Sequence, residues 1–554
     1  MPRDSTETDR RNFLKFAGAS TVGAVATLAG CTGGGDDGDD GGDGGDGGDG
    51  GDGGDGGDGG DGGDGGDGGD DVPEDFPVSI AQGNMPSGLD PHDHRETPTD
   101  VVMLHVYEGL LSRDNEGRVV NNLATDYETV EEGRLRFPIR QDVQFHNGDD
   151  LTAEDVVYSI RRIIDESVGF ASPQRDQLSG IVSAETANDG AAVDAVSEGV
   201  HPIGVSQFAT YCDIMQQSWV EDRSKSEIGQ DMNGTGPFQL DSYSSEEEVV
   251  LVRNEDYWGD LAEPSEVQFT AASEASTRVN QLVNGERDVV VNVPPQEVDR
   301  VRSSDGTRIE AAPSTRIIYN ALRYDAEPFS NQEFRQALNY AIDLESIVSN
   351  VLEGFGAQTG QPTLEGFVGH NSDISPYEYD PEQAEQLVES SGHAGVEIEL
   401  HTPVGRYLKD LQIAQAVAGY VDELENVSAS VVQRDFGSLV DDLSSGNIED
   451  KPPWYLIGWG EATFDGGLVM TALLETGQTF SSFSDDQIDS MLEEAGGQSA
   501  DERETTLQEL NQYCHDIAPW IFLNRQFSVY GASDRIEWSA RSDERIDAYE
   551  MTQA

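Results

Sequence analysis

The residue types that could perform chemistry occur in this sequence without the spacing that catalysis requires. Asp90, His92, Asp93 and His94 form a short polar run, and imidazole is a ligand that suits nickel or zinc. Exposed loops often contain such runs by chance, so we predict no metal site and no cofactor. Neither a G-x-S-x-G nucleophile motif nor an H-E-x-x-H zinc motif occurs. Carboxylates are so abundant that paired acids carry no signal, and we predict that the protein is not an enzyme.

The run from Trp454 to Asp465, WYLIGWGEATFD, combines residue types that suit the binding of a small molecule. An apolar strand leads into a loop of indole, glycine and acid. Gly458 and Gly460 have no Cβ, which lets backbone groups approach another molecule closely. The alternative interpretation is that the aromatic residues of this run pack in a core while its two acids are solvated.

Helices and strands that must position these residues alternate along the chain after residue 72. The predicted helix starts carry capping residues followed by one apolar face: Thr152, Ser330 with Glu333, Asp380-Pro381 with Gln383, Ser484 with Gln487, and Asp501 with Glu504. The predicted strands are 78–81, 249–253, 267–270, 288–293, 317–322, 396–401 and 454–458. Strands scattered between helices predict an α/β fold rather than a helix bundle or a β-sandwich.

The chain of 554 residues is strongly acidic. It contains 107 Asp+Glu against 33 Lys+Arg, for a formal net charge of −74. Such a charge repels phosphate backbones, so we predict no binding to nucleic acid. Lysine occurs only at positions 15, 225, 409 and 451. An acidic, lysine-poor domain tolerates molar salt, where charges are screened over ~3 Å, and this composition indicates a halophile. The alternative is an unusually acidic secreted protein.

The N-terminus resembles an export signal that ends in a lipidation site. Arg10-Arg11-Asn12-Phe13-Leu14-Lys15 resembles a twin-arginine motif, and an uncharged stretch follows from Phe16 to Gly30. Fifteen residues are too few to span a bilayer comfortably. Leu28-Ala29-Gly30-Cys31 resembles a lipobox, which predicts cleavage before Cys31 and a lipid on its thiol. The predicted signal is 1–31, and the predicted location is the extracellular face of the cell membrane.

Residues 32–71 read as a tether between the lipid and the folded part. From Gly33 to Asp71 the chain contains only Gly and Asp, so it has no apolar side chains to bury and is predicted to be disordered. Two further cysteines, Cys212 and Cys514, could form one disulfide or remain two buried thiols, and the sequence leaves both alternatives open.

A series of short motifs resembles the family 5 solute-binding proteins, the dipeptide, oligopeptide and nickel receptors of ABC importers. Their order and spacing from about Val78 to Leu523 carry the resemblance. They are Ser87–Pro91, Tyr107–Leu111, Phe137–Arg140, Phe145–Asp149, Leu151–Val156, Gly234–Phe238, Arg253–Trp258, Pro328-Phe329, Arg335–Asp343, Tyr379–Pro381 and Ala518-Pro519.

The resemblance implies a two-lobed, periplasmic-binding-protein-like (type II) clamp with an extra domain on the N-terminal lobe. The implied first lobe comprises 72–111, 226–325 and 525–554, with the extra domain at 112–225 and the second lobe at 326–524. Two crossings near Asp325 and Asn524 would form the hinge. Ligand would close the lobes, and the closed form would dock on a permease served by an ATPase.

The resemblance also implies where ligand binds. Trp459 would wall the cleft beside Gly458 and Gly460. Peptide-binding members have an aspartate three residues after this tryptophan, where this chain has Ala462. The remaining candidate ligand-binding residues are Glu461, Asp465, Trp454, Tyr319 and Asn320. Peptides are the expected cargo, and oligosaccharide or metal-chelate cargo, or a sensing lipoprotein without transport, are the alternatives.

Overall fold

The computed structural model describes residues 75–554. The predicted signal, the lipidation site at Cys31 and the tether lie outside these residues. The strands, in chain order, are Pro77–Gln82 (β1), Leu111–Arg113 (β2), Val119–Asn121 (β3), Glu128–Glu131 (β4), Arg134–Pro138 (β5), Ile181–Ala187 (β6), Ala192–Ser197 (β7), Phe238–Ser244 (β8), Glu248–Arg253 (β9), Glu266–Ala271 (β10), Val289–Val290 (β11), Thr307–Leu322 (β12), Gly356–Gln358 (β13), Val396–Pro403 (β14), Val427–Arg434 (β15), Trp454–Gly460 (β16), Trp520–Ser533 (β17), Ile536–Glu537 (β18) and Thr552–Gln553 (β19). The α-helices are Thr97–Met103 (α1), Ala153–Ile164 (α2), Gly204–Phe208 (α3), Gln217–Glu221 (α4), Lys225–Ile228 (α5), Ala275–Val283 (α6), Pro295–Ser303 (α7), Gln332–Tyr340 (α8), Leu344–Ser346 (α9), Pro381–Ser391 (α10), Asp410–Asp422 (α11), Phe436–Ser444 (α12), Gly466–Leu474 (α13), Asp486–Gly496 (α14) and Ala500–Ile517 (α15).

One large sheet runs through both lobes. Its strand order is β15-β14-β16-β12-β17-β11-β1-β10-β9-β8, and β13 adds to β17. Strands β12 and β17 are long and antiparallel. Toward the first lobe, Thr307–Pro313 of β12 pairs with Phe527–Ser533 of β17. Toward the second lobe, Ile317–Ala321 of β12 pairs with Trp520–Arg525 of β17. The two strands therefore carry the chain from one lobe to the other.

The pairing of β12 with β17 is irregular between Pro313 and Ile317, where the strands pass between the lobes. Arg525 stabilises the irregular segment, because its guanidinium donates to the carbonyl of Ser314 at 2.5 Å and to that of Glu365 at 2.8 Å. Residue 325 lies beyond the end of β12. The domain boundaries given above stay predictions.

Of the four hydrophobic cores among the described residues, three correspond to the two lobes and the extra domain, and the fourth lies between helices α6 and α7 and strands β1, β11 and β17. The core of the second lobe extends from Ile317 to Leu523 along the chain. That of the first lobe combines residues 76–107, 215–289 and 530–551. The core of the extra domain lies within 110–214, beneath the sheet β4-β5-β7-β6 and helix α2. This arrangement confirms the predicted fold class of an α/β two-lobed clamp with an extra domain.

The helix caps show what local sequence determines. Thr152 caps α2 in a reciprocal pair with Asp155, and Asp380 caps α10, which ends at the left-handed Gly392, so both predictions are confirmed. Three other starts were predicted wrongly, because a neighbouring polar side chain makes the capping contact. The observed caps are Asn331 rather than Ser330, Asp485 rather than Ser484, and Ser499 rather than Asp501.

The two cysteines of the folded part are free thiols in separate cores. Cys212 is buried in the extra domain and Cys514 in the second lobe. The disulfide alternative is therefore wrong for these residues.

Candidate functional site

Strand β16 leads into the Trp-Gly-acid loop, residues 459–465, which lies on the face of the second lobe that opposes the extra domain. The loop ends where Asp465 caps helix α13 by accepting a hydrogen bond from the Leu468 amide at 3.0 Å. Across the cleft, the Arg113 guanidinium donates to the Thr463 carbonyl at 2.7 Å. Thr210 donates from its hydroxyl to the Ala462 carbonyl at 3.3 Å. The lobes therefore touch through this loop.

Three of the predicted ligand-binding residues lie inside the second lobe. The Trp454 indole is fully buried and donates to Asn320 Oδ1 at 2.9 Å. Tyr319 stacks on Trp520 with 4.0 Å between ring centroids. In this arrangement Trp454, Tyr319 and Asn320 offer no surface to a ligand, and their part in binding stays a prediction.

The two glycines of β16 leave room for side chains of the chain itself. A Cβ at Gly458 would lie 2.6 Å from Ile318 Cδ1 and 2.8 Å from Tyr407 Cε1. A Cβ at Gly460 would lie 3.1 Å from Arg316 Nη2. The missing Cβ atoms thus allow an aromatic ring and a guanidinium to sit against this strand, which the sequence alone did not indicate.

Trp459 and Glu461 occupy the loop side of the cleft. The half-buried Trp459 packs against Phe480 with 5.5 Å between ring centroids. The Glu461 carboxylate accepts hydrogen bonds from the Thr463 hydroxyl at 2.8 Å and amide at 3.1 Å. Burial raises the pKa of Glu461 to about 7, more than these hydrogen bonds lower it.

Asp465 has partners within its own lobe. The Arg503 guanidinium donates to both of its oxygens, at 2.6 and 2.7 Å, and the side chains of the pair are 2% and 7% exposed. The carboxylate is thereby used for helix capping and for a buried ion pair.

Two arginines that sequence reasoning missed meet beside β16. Arg316 stands opposite Gly460 in the β12–β16 pairing, and its guanidinium carbon is 5.9 Å from the centre of the Tyr407 ring. The Arg406 guanidinium carbon is 5.1 Å from the same centre. No carboxylate among residues 75–554 lies within 4.0 Å of either group. In so acidic a chain, two neighbouring arginines without an ion pair are unusual.

The loop that carries Arg406 is held by one buried acid. Asp410 accepts hydrogen bonds from the backbone amides of Gly405, Arg406 and Tyr407 at 3.0, 2.8 and 3.1 Å. Burial and the charge of Arg316 lower the pKa of Arg406. The same electrostatic surroundings include Glu544 of the C-terminal segment, so the arginine pair faces the first lobe.

Acids and one arginine line the opposing wall. The side chain of Asp100 in α1 is 55% exposed, yet desolvation by the surrounding protein raises its pKa to about 7. Burial raises the pKa of Asp213 to about 6, against the effect of Arg545. Neither carboxylate accepts a hydrogen bond from the residues that the structure covers.

Tyr211 links this wall to the loop of the second lobe. Burial raises its pKa, and the charges of Glu461 and Asp100 act in the same direction, so both acids are near its ring. Arg545 donates to the Thr210 carbonyl at 3.0 Å, which holds it beside Tyr211. The cleft thus has an acidic region near the extra domain and an arginine pair near the strand crossing.

The polar run at residues 90–94 is part of the scaffold. Arg162 pairs with Asp90 at 2.6 and 2.9 Å, and His92 Nε2 lies 2.8 Å from the Asp213 carbonyl oxygen. No group of three His, Cys, Asp or Glu residues between positions 75 and 554 is arranged to hold a metal ion. In the same range, no helix is both long and apolar enough to cross a bilayer.

Comparison with known proteins identifies the class that this fold and cleft define. Residues 118–481 match the family described as bacterial extracellular solute-binding proteins, family 5 Middle, and the chain belongs to that family. It is therefore a solute-binding protein and not an enzyme. As a substrate-binding protein of an ABC importer, it works with a permease and an ATPase.

Individual relatives are similar over most of their length. The chain is 23% identical to a glutathione-binding protein, GsiB of Pectobacterium atrosepticum, over 82% of this chain and 90% of that protein. The DppA periplasmic binding protein of Helicobacter pylori, solved with the peptide STSA, is 20% identical, with a TM-score of 0.65 over 86% of this chain and 98% of that one. NikZ of Campylobacter jejuni, solved with Ni(L-His), is 21% identical, with a TM-score of 0.68 over 87% and 100%.

Proposed function

We propose that the cargo is a small solute with a carboxylate, of the peptide type, bound between the lobes. The observation that supports this choice is that Arg316 and Arg406, two neighbouring arginines beside Gly460, form no ion pair with a carboxylate of the described residues. Guanidinium groups bind carboxylates through parallel charge-assisted hydrogen bonds. A neutral oligosaccharide would leave both charges without a partner, which is costly in a site that excludes water.

The acidic region of the cleft supports a peptide in particular. A peptide carries an ammonium group as well as a carboxylate. Glu461 directly precedes Ala462, which stands where peptide-binding members have an aspartate, and Asp100 and Asp213 belong to the same acidic region around Tyr211. Trp459 and Glu461 are proposed to contact the cargo. Asp465, Trp454, Tyr319 and Asn320 are proposed to support that surface from inside the lobe, with Gly458 and Gly460 admitting Tyr407 and Arg316.

The proposal extends to where the receptor works. We infer a lipoprotein of a halophile, exported through the twin-arginine motif and anchored at Cys31 on the extracellular face of the membrane. The twin-arginine route exports folded proteins, which suits a salt-adapted chain that must fold before it reaches the outside.

Thermal unfolding in high salt tests the cargo class. Tripeptides with a free C-terminus are expected to raise the melting temperature by mass action, by the equivalent of about 2.7 kcal/mol at a concentration one hundred times the Kd. The same peptides with an amidated C-terminus are expected to have a much smaller effect. Glutathione, nickel–histidine and a neutral oligosaccharide complete the panel.

Variants at the arginines connect the result to the site. Arg316→Gln and Arg406→Gln are each expected to weaken the binding of peptides with a free C-terminus at least tenfold. Neither variant is expected to change the weak binding of amidated peptides. Arg175→Gln is the matched control, because its side chain is 60% exposed and pairs with Glu166 far from this strand. Stronger binding of the oligosaccharide than of any peptide would overturn the proposal.

A further inference from the structure

Arg113 stands at the end of β2, at the junction with the extra domain, and reaches across the cleft. Its side chain donates to the Gly117 carbonyl at 2.8 Å and to the Thr210 hydroxyl at 3.3 Å on its own side. The bond to the Thr463 carbonyl, at 2.7 Å, is made with the second lobe. Arg113 is only 6% exposed, so the charge is largely withdrawn from water in this arrangement.

Phe464 completes the contact from the second lobe. The Arg113 guanidinium carbon is 4.7 Å from the centre of its ring, and Phe367 packs behind it at 5.0 Å. Gly117 lies so close that a Cβ there would be 2.6 Å from Phe464 Cε1. The ring is therefore inserted between its own lobe and the loop at 113–117, and it is 3% exposed.

The backbone of Phe464 is in the left-handed region, with φ of 58°. A bulky residue adopts this conformation only when its surroundings compensate for the strain. Here the compensating contacts are Gly117 and Arg113 on one side and Phe367 on the other. Separation of the lobes would remove the first two and leave the strain.

The loop that receives the ring is fixed to the C-terminal segment. Arg541 donates to the Arg113 carbonyl at 2.7 Å and to Asn115 Oδ1 at 2.8 Å. It also pairs with Asp543 at 2.8 Å. The loop at 113–117 is thus held by the C-terminal segment of the first lobe, and the contact with Phe464 joins it to the second lobe.

We infer that Arg113, with Phe464, is a latch that sets the ratio of closed to open clamp before any cargo arrives. It joins groups that both belong to the protein, so it stabilises the closed arrangement whatever solute is bound. The inference depends on the two-lobed fold and not on the identity of the cargo. A charge-assisted hydrogen bond and the ring contact together are expected to change the ratio about 10–100-fold.

Distance measurements between spin labels on the full-length protein test the latch without any ligand. Cysteines replacing the exposed Glu154 on α2 and Glu493 on α14 report the separation of the extra domain from the second lobe. The parent is expected to show a closed population. Arg113→Gln and Phe464→Leu are each expected to move that population to longer distances, and the double variant no further than the stronger single variant.

The matched control is Arg118→Gln. Arg118 directly follows the loop at 113–117, and its side chain is 73% exposed. Its distances are expected to equal those of the parent. If Arg113→Gln does not fold, Phe464→Leu, which lies on the other lobe, carries the test. Unchanged distances in the folded variants would overturn the latch. Since no cargo is added, a failure of the peptide proposal would leave these results unaffected.

Discussion

The guanidinium of Arg503 holds both carboxylate oxygens of Asp465 inside the second lobe, at 2.6 and 2.7 Å. The same carboxylate caps α13, whose first residue follows the Trp-Gly-acid loop directly. One buried ion pair in this way fixes the end of the loop that contacts the extra domain. Asp465 therefore has a structural role that requires no contact with a ligand.

Replacement of Asp465 by alanine is expected to lower the free energy of unfolding by about 3–5 kcal/mol, because it leaves a buried guanidinium unpaired. The measurement is denaturant unfolding in high salt. Asp486→Ala is the control, an exposed acid whose loss is expected to stay within about 0.5 kcal/mol. Equal stabilities of the two variants would contradict the structural role of Asp465.

Trp459→Ala is expected to weaken cargo binding about 10–100-fold, because the indole supplies an apolar wall that a methyl group cannot replace. Titration calorimetry with a free peptide measures the effect. Tyr324→Ala removes an aromatic side chain that is 39% exposed next to Ser482 of the second lobe, and this variant is expected to bind as the parent does. An unaltered Kd for Trp459→Ala would place the cargo elsewhere.

Glu461→Gln is expected to change how stability depends on pH. In the folded protein the pKa of Glu461 is about 7, above its ordinary value of 4.5, so the folded state binds more protons between these values. Glu461 therefore makes the parent less stable as pH rises through this window. Asp465, Arg113 and Tyr211 are the charged or titratable groups around it.

The measurable quantity is the melting temperature of the Glu461→Gln variant minus that of the parent. It is expected to increase from pH 5 to pH 7 and then level off, while glutamine keeps the acceptor for Thr463. Ser490→Ala, at an exposed position of α14 and without change to any titratable group, is expected to give a constant difference. A flat profile for Glu461→Gln would show that this carboxylate is well solvated.

Two glycine substitutions are expected to have opposite signs. Gly458→Ala forces a methyl group against Ile318 and Tyr407 and is expected to cost about 1–3 kcal/mol. Gly419→Ala, on an exposed side of α11 with no atom within 4 Å of the new Cβ, is expected to stabilise by about 0.5–1 kcal/mol. Denaturant unfolding compares them, and a neutral Gly458→Ala would mean that Tyr407 moves aside freely.

Cys31→Ser is expected to release the protein from the membrane fraction into the medium, because the serine hydroxyl cannot carry the thioether-linked lipid. Immunoblots of both fractions measure the change. Cys514→Ser, at a buried thiol of the second lobe, is the control and is expected to stay with the membrane. Retention of the Cys31 variant on the membrane would rule out the anchor.

The sequence by itself determined two things. One is the set of helix ends that depend on local contacts, and the other is the family. Thr152 and Asp380 start helices because their side chains satisfy free backbone amides at the first turn, and this interaction is local. Where two polar residues adjoin, as at Ser330 and Asn331, the choice of cap depends on how the chain approaches the helix. The family resemblance, confirmed by the profile match, rests likewise on motifs that are short and contiguous.

Only the tertiary structure decided which distant residues share the cleft. Arg316 and Arg406 are brought together by the pairing of β12 with β16 and by the loop that Asp410 holds. Trp454 and Trp459 belong to one strand and were both candidate ligand-binding residues, yet the first is buried in the core and the second reaches the loop side. Pairing partners and solvent exclusion depend on contacts between segments far apart in the chain, so local sequence does not specify them.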